Sequence, residues 1–403
     1  MATLIRSNRS RGVKNSLAKW LITLGGISVL FTLVLIFMYL LYVVKPIFES
    51  ANIESTVNVS LDLKNGDKIL GTGVDELQEL AYQITSSGHI DFYHLKASDP
   101  KGNNQFAVGD SSLSKSLLTS DDFNQDKITS VVNSFSASKL LHTETGKTLL
   151  IQPSFYAKYA NDSREIIPQV NYPLGHDSLT IDEQQSPFSQ LAFAMEDERI
   201  VFVGFTQDKR LVKTTFIAED DFSSSSDGDD VEYETVFQQI EHLSASVDEI
   251  KVTPDLGLAF VRSASTVYVY SLNDDDEVSL KATITPTLLN EDTYLTSMAL
   301  LSGSSSVLLG DSSGRVSQWF EVATESGREF KQIRSFDASD RNNTKSSNAI
   351  TAIYTEQYRK SFYTMTDSGM VNVFYTTSSA HLWQGELVSS QPEAFAIAPR
   401  ANG

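Results

Sequence analysis

Hydrophobic and polar positions divide the chain into two regimes. From Trp20 to Val44, twenty-five consecutive residues (WLITLGGISVLFTLVLIFMYLLYVV) carry no charge. At about 1.5 Å per residue such a helix crosses a hydrocarbon core that needs roughly 20 apolar residues. Beyond it the apolar runs are short. Val57, Val59, Leu61 and Leu63 alternate with Asn58, Ser60 and Asp62, the period of a half-buried strand. Val74, Leu77, Leu80, Ala81 and Ile84 recur at helical spacing, with Thr72 and Asp75 as a weakened capping box before them. The spacing predicts a soluble helix there, and a strand through Ile90–Leu95 after it. From about residue 146 onward, runs of four to six apolar residues alternate with Gly, Ser, Asp and Asn clusters. Strands are expected at Thr148–Gln152, Leu191–Met195, Ile200–Phe205, Val212–Ile217, Leu258–Val261, Thr266–Ser271, Val307–Gly310 and Val316–Phe320. The acidic stretches Glu219–Asp230 and Asn273–Glu277 read as solvated connections.

Some of these runs repeat. LTSMALLSGSSSVLLGDSSGRVSQWF (295–320) aligns with AITAIYTEQYRKSFYTMTDSGMVNVFY (349–375) on Gly314 and Gly369. Met298 then meets Ile353 and Trp319 meets Phe374, each pair 55 residues apart. Looser copies begin at Gln190 and Val247. A unit of about 40–50 residues holding several short strands is the pattern of propeller blades. The glycine of each DSSG or DSG turn supplies the positive φ that a tight hairpin needs. Pro392–Arg400 resembles the first strand of a further blade just before Gly403, so the sequence predicts a propeller interrupted in mid-domain.

The fold class expected is mainly β: one N-terminal transmembrane helix, a small α/β lead-in, and an incomplete β-propeller. The divisions are a basic arm (1–19), the membrane helix (20–44), a strand–helix–strand lead-in that can join the first blades (45–145), and the blades (146–403).

Charge sets the orientation. Arg6, Arg9, Arg11, Lys14 and Lys19 precede the helix, and Lys45, Glu49 and Glu54 follow it. Basic residues stay on the cytoplasmic side, which places 1–19 in the cytoplasm and 45–403 outside. A cleaved signal peptide needs a shorter apolar core, about 7–15 residues, and a small-x-small cleavage site. Here the core is longer and Lys45-Pro46-Ile47-Phe48-Glu49 follows it, so an uncleaved anchor is expected. The net charge is −19 and the six basic residues up to Lys45 leave about −25 for the rest. Such a surface disfavours nucleic acid as a partner. With no cysteine, disulfides, thiolate zinc sites and cysteine nucleophiles are excluded.

Catalytic chemistry is not legible. Gly146-Lys147-Thr148 matches the end of a phosphate-binding loop, but Leu141 stands where its first glycine belongs. Gly71-Thr72-Gly73 has Glu76 in place of a third glycine. His89, His94, His142, His176, His242 and His381 are scattered, and the acidic pairs Asp121-Asp122 and Asp220-Asp221 lie in polar loops. The acidic loops lack the ligand spacing of a calcium loop. No catalytic, cofactor-binding or metal-binding residue is assigned, no cofactor is expected, and the chain is read as not an enzyme. Within the membrane helix no ionisable group marks an ion path, and Gly25-Gly26 is compatible with close packing of another helix.

The basic arm followed by LVLIFMYLLYVVKPIFESA resembles the start of the long-form phosphate ABC transporter permease of gammaproteobacteria. LLGDSSGRVSQWF, TMTDSGMVNVFYTTSSAHLW and AFAIAPRANG are similar to the periplasmic WD40-like domain of that permease. The resemblance covers essentially the whole chain. It implies an inner-membrane location and a phosphate-import function. The partners implied are the lipid bilayer, a second permease subunit, an ATPase subunit and a periplasmic phosphate-binding protein. The multi-helix permease region and its ATPase-coupling loop are not in this sequence, so no translocation residue can be carried over. The alternative reading is a membrane-anchored periplasmic propeller that scaffolds protein assembly without transport.

Overall fold

The structure, a computed structural model, describes residues 3–45, 63, 66–96, 108–160, 163–219, 232–272, 278–302, 306–325, 327–339, 348–358, 360–386 and 395–399. The chain forms two units, 1–54 and 55–403. The first is helix α1 (Thr3–Val44), in which Gly12–Val44 is long and apolar enough to cross a membrane. A signal sequence passes the same test of length and composition. The large apolar side chains from Trp20 to Val43 lie exposed. Three hydroxyls of α1 bond back to the helix: Thr23 donates to the Lys19 carbonyl at 2.9 Å, Ser28 to Gly25 at 2.8 Å and Thr32 to Ser28 at 2.8 Å. Such back-bonding lets a polar side chain sit in an apolar helix without a partner helix.

The second unit is a series of four-stranded antiparallel meanders, six among the described residues. Sheet 1 holds β1 (Ile69–Val74), β2 (Leu80–Thr85), β3 (His89–His94) and β4 (Ser111–Ser116). Sheet 2 holds β5 (Ile128–Asn133), β6 (Lys139–Thr143), β7 (Thr148–Ala160) and β8 (Ser163–Asn171). In sheet 3 are β9 (Phe188–Glu196), β10 (Arg199–Thr206), β11 (Arg210–Ala218) and β12 (Tyr233–His242). Sheet 4 comprises β13 (Glu249–Val252), β14 (Leu258–Ser263), β15 (Thr266–Ser271) and β16 (Ser279–Ile284). Sheet 5 follows as β17 (Leu295–Leu300), β18 (Ser306–Asp311), β19 (Arg315–Thr324) and β20 (Gly327–Asp337). Sheet 6 is β21 (Ile350–Thr355), β22 (Ser361–Thr366), β23 (Met370–Tyr375) and β24 (Ala380–Glu386).

First strands pack on first strands in chain order, β1 on β5, β5 on β9, and so on to β21. Fourth strands such as β16 and β20 are mostly exposed. The sheets are therefore blades of an incomplete propeller-like arrangement. Their cores confirm it: each hydrophobic cluster lies between two successive sheets. Ile84, Phe92, Leu141 and Leu149 join sheets 1 and 2; Leu140, Leu150, Phe193 and Phe202 join 2 and 3. Val203, Leu211, Val252 and Val261 join 3 and 4, Phe260, Val267, Met298 and Leu309 join 4 and 5, and Leu308, Phe336, Phe362 and Phe374 join 5 and 6. A blade apolar on both faces cannot bury itself alone, which is why such repeats stack.

The predicted repeat holds at the level of pairing. Met298 faces Leu309 and Ile353 faces Thr364; Trp319 faces Val307 and Phe374 faces Phe362. Even the bulges coincide, at Leu295/Ser297 and Ile350/Ala352 in the first strands and at Gln318/Trp319 and Val373/Phe374 in the third.

One prediction is overturned. Residues 74–84 are not a helix but the end of β1, a turn and β2. Asp75 is no helix cap: its carboxylate accepts the N–H groups of Leu77 (2.9 Å), Glu79 (2.6 Å) and Leu80 (2.7 Å), closing a turn. Gln78 there adopts φ +56, which breaks a helix. Leu80, Tyr82 and Ile84 are buried at period two, and Tyr82 lies so close over Gly73 that a Cβ there would meet its ring at 2.4 Å. The lead-in is thus sheet 1 and the start of sheet 2. The strand expected over Pro392–Arg400 also fails in its described part: 395–399 has no ladder partner, and an unpaired strand leaves its backbone groups unsatisfied. Phe395 instead packs its ring on Tyr354 and Tyr363, at 4.6 and 6.3 Å between centroids. The expected strand at 57–63 and most of the two acidic loops lie outside the described residues.

Candidate functional site

In five of the six sheets the hairpins between second and third strands share one construction; the sheet 4 hairpin, between Ser263 and Thr266, turns instead at Ala264 with φ +50. Thr85, Thr143, Thr206, Asp311 and Thr366 close the second strand, and the residue three further on is Gly88, Gly146, Lys209, Gly314 or Gly369. All five of those residues have φ between +69 and +88, and all donate their N–H to the carbonyl of the closing residue. The closing side chain then accepts the N–H four residues on: Lys147 to Thr143 at 3.0 Å, Arg210 to Thr206 at 3.0 Å, Arg315 to Asp311 at 3.0 Å, Met370 to Thr366 at 3.2 Å. Gly146-Lys147-Thr148 is therefore a hairpin, not a phosphate loop, and the Lys147 ammonium donates to the Asp122 carbonyl. Gly71-Thr72-Gly73 lies within β1.

The histidines stay apart. His89 Nδ1 meets the Ser87 hydroxyl at 3.1 Å, and His142 Nδ1 meets Thr129 at 3.3 Å. His176 stacks on Tyr172, His381 stacks on Phe374, His94 ends β3 and His242 ends β12. Burial holds the His94 and His142 imidazoles below the usual value. Among the described residues no three His, Asp or Glu side chains are grouped to hold a metal ion. Asp121-Asp122 opens a short 3-10 turn, and Asp220-Asp221 is outside the described residues.

A cavity of about 690 Å³ lies at the ends of the first strands. Every sheet contributes: Val74 and Leu77 from sheet 1, Asn133, Phe135 and Lys139 from sheet 2, Ala192, Val252 and Leu300 from sheets 3 to 5, Tyr354 and Glu356 from sheet 6. Phe395–Pro399 lines it too. Its charged groups are mostly engaged. Asp75 is held by the three N–H groups above; Lys251 pairs with Glu249 at 3.2 Å; Glu356 accepts the Tyr363 hydroxyl at 3.0 Å. The second carboxylate oxygen of Glu356 is sealed and has no hydrogen-bond partner. Lys139 differs. It is half-buried, no carboxylate among the described residues pairs with it, and burial pushes its ammonium down to about 8.

A second polar construction lies between sheets 2 and 3. Arg210, buried, forks onto Asp182 with bonds of 3.0 and 2.8 Å and reaches Asp208 at 2.7 Å and Ser186 at 2.8 Å. Burial raises the Asp182 carboxyl, but the bonds from Arg210 and from the Ser186 N–H outweigh it and hold the group below its ordinary range. This fork fastens the 172–187 connection to β11.

No protein-family model and no curated protein matches the chain.

Proposed function

We propose that the chain is the N-terminal portion of an inner-membrane permease subunit for inorganic phosphate import, with its propeller as a periplasmic docking or regulatory platform. The observation that carries this reading is the joint likeness of the anchor run LVLIFMYLLYVVKPIFESA and the blade phrases to that permease. The charge asymmetry around the helix supports an N-in orientation with the blades outside. One helix without an ionisable residue between Lys19 and Lys45 lines no path for a phosphate anion, whose dehydration in hydrocarbon is prohibitive. A propeller outside the bilayer moves no solute across it either. Its contribution is therefore protein contact, presented on the loops that join the strands. The acidic balance weighs against general electrostatic capture of phosphate by this domain.

Phosphate uptake in cells lacking other phosphate importers tests the proposal. The gene encoding this sequence supports uptake, its disruption abolishes uptake, and deletion of the segment 55–403 alters regulation or docking more than selectivity. The 403-residue piece alone transports nothing. Uptake driven by that piece, or unchanged uptake on disruption, rejects the reading; the latter result leaves the scaffold of protein assembly in its place. Reporter fusions after Phe48 and Gly403 are active only with a periplasmic reporter if the orientation is right.

A further inference from the structure

We propose that the cavity at the first-strand ends is a binding site for a small organic acid, with the Lys139 ammonium as the group that receives its carboxylate. Lys139 opens β6 directly after the connection 134–138, and it lines the cavity beside Phe135 and Ser136. A half-buried ammonium without an anionic partner is less well solvated than one in water, and a bound anion offsets that cost. The other charges in the cavity do not supply the partner. Asp75 accepts three backbone N–H groups, Glu76 is engaged, and Glu356 accepts the Tyr363 hydroxyl on one oxygen while its other oxygen, without a hydrogen-bond partner, forms no ion pair with Lys139. Lys251, the other cation, already has Glu249. The downward displacement of Lys139 has burial as its cause, with no carboxylate raising it, in keeping with the same geometry.

The walls define the rest of the ligand. Val74, Leu77, Phe135 and Phe155 are apolar, and Tyr82 presents its ring. A cavity of about 690 Å³ accommodates a body of many heavy atoms. The ligand class is thus an acid with an apolar or aromatic body, rather than an inorganic ion. Nothing in this inference depends on the transport reading.

Benzoate, benzylamine and benzyl alcohol share a ring and differ in the charge of the head, which makes them suitable probes. The full chain in nanodiscs is titrated with each by saturation-transfer NMR, against empty nanodiscs. Benzoate is expected to bind at least about tenfold tighter than the other two. Lys139→Ala loses this preference and Lys139→Arg keeps it. Between pH 7 and 9.5 the wild type loses benzoate affinity as the amine deprotonates, while Lys139→Arg does not, because a guanidinium stays charged. The titratable groups facing the cavity besides Lys139 are Asp75, Glu76, Glu356, Lys251 and the tyrosines, and the Lys139→Arg control separates them from Lys139. Equal affinity of the wild type for all three probes overturns the inference. So does unchanged benzoate binding in Lys139→Ala, or a wild-type pH profile that Lys139→Arg reproduces.

Discussion

Sheets 5 and 6 and sheets 1 and 2 are built alike, yet only the first pair is visible as a repeat in the sequence. In sheets 5 and 6 the spacing of 55 residues carries through pairing partners, turn glycines and bulges. In sheets 1 and 2 the same devices occur. First-strand bulges lie at Ile69/Gly71 and Ile128/Ser130, and the hairpins are Thr85–Gly88 and Thr143–Gly146. What differs is the side-chain pattern around them. Leu77 sits in a turn, and with Leu80, Ala81 and Ile84 it reproduces a helical spacing by chance. The lesson is that a closing Thr or Asp followed three residues later by a positive-φ residue marks sheets 1, 2, 3, 5 and 6, where periodicity misled in sheet 1; sheet 4 alone of the six turns differently, at Ala264.

The sharpest way to break this equivalence is to empty corresponding cores. Phe92 and Phe362 are both fully buried, in sheets 1 and 6. Phe92→Ala and Phe362→Ala are each expected to cost about 3–5 kcal/mol in denaturant unfolding. A cost for Phe92→Ala under about 1 kcal/mol shows that sheet 1 is not an integral blade.

The next effect concerns sheet 3, where Lys209 replaces the turn glycine and Arg210 anchors the hairpin. Arg210→Leu leaves Asp182 buried without its partner and is expected to cost about 3 kcal/mol at neutral pH. Because the folded Asp182 titrates below its ordinary range, its contribution is present above the unfolded carboxyl value of about 3.9 and fades as pH falls through the lower folded value. The stability gap between wild type and Arg210→Leu should therefore narrow in acid. A gap that stays constant down to the acid transition removes the ion pair as its cause.

Turn glycines give a smaller, graded test. Gly146→Ala meets open space apart from Pro187 at 3.9 Å, so only its φ of +86 resists, at about 1 kcal/mol. Gly314→Ala also crowds Asn348, with Cβ at 3.0 Å and the backbone oxygen at 3.1 Å, and should cost more. The reverse order in thermal melts breaks the proposed likeness of the two turns.

Smallest is the loss of a closing hydroxyl. Thr143→Val and Thr366→Val each remove an acceptor for one N–H, worth about 1 kcal/mol. Similar values in sheets 2 and 6 sharpen the equivalence. A cost confined to sheet 6 limits it to the blades that repeat by eye.

Local chemistry alone determined much of this protein. An uncharged run of twenty-five residues can satisfy its backbone in an apolar medium only as a helix. Short β-branched and aromatic runs between Gly, Ser and Asp turns form strands, and each strand expected from 148 to 320 lies within an observed one. The tertiary structure alone decided the fate of Val74–Ile84, because Gly73 beneath the Tyr82 ring and Asp75 on three N–H groups act through contacts that spacing does not encode. It also decided the standing of Lys139. In sequence that residue is one lysine after a serine-rich turn, with no periodic or motif signal. Only the convergence of six sheets on one cavity half-buries it and leaves it, among the described residues, without a carboxylate partner, since both belong to the assembled blades and not to any one of them.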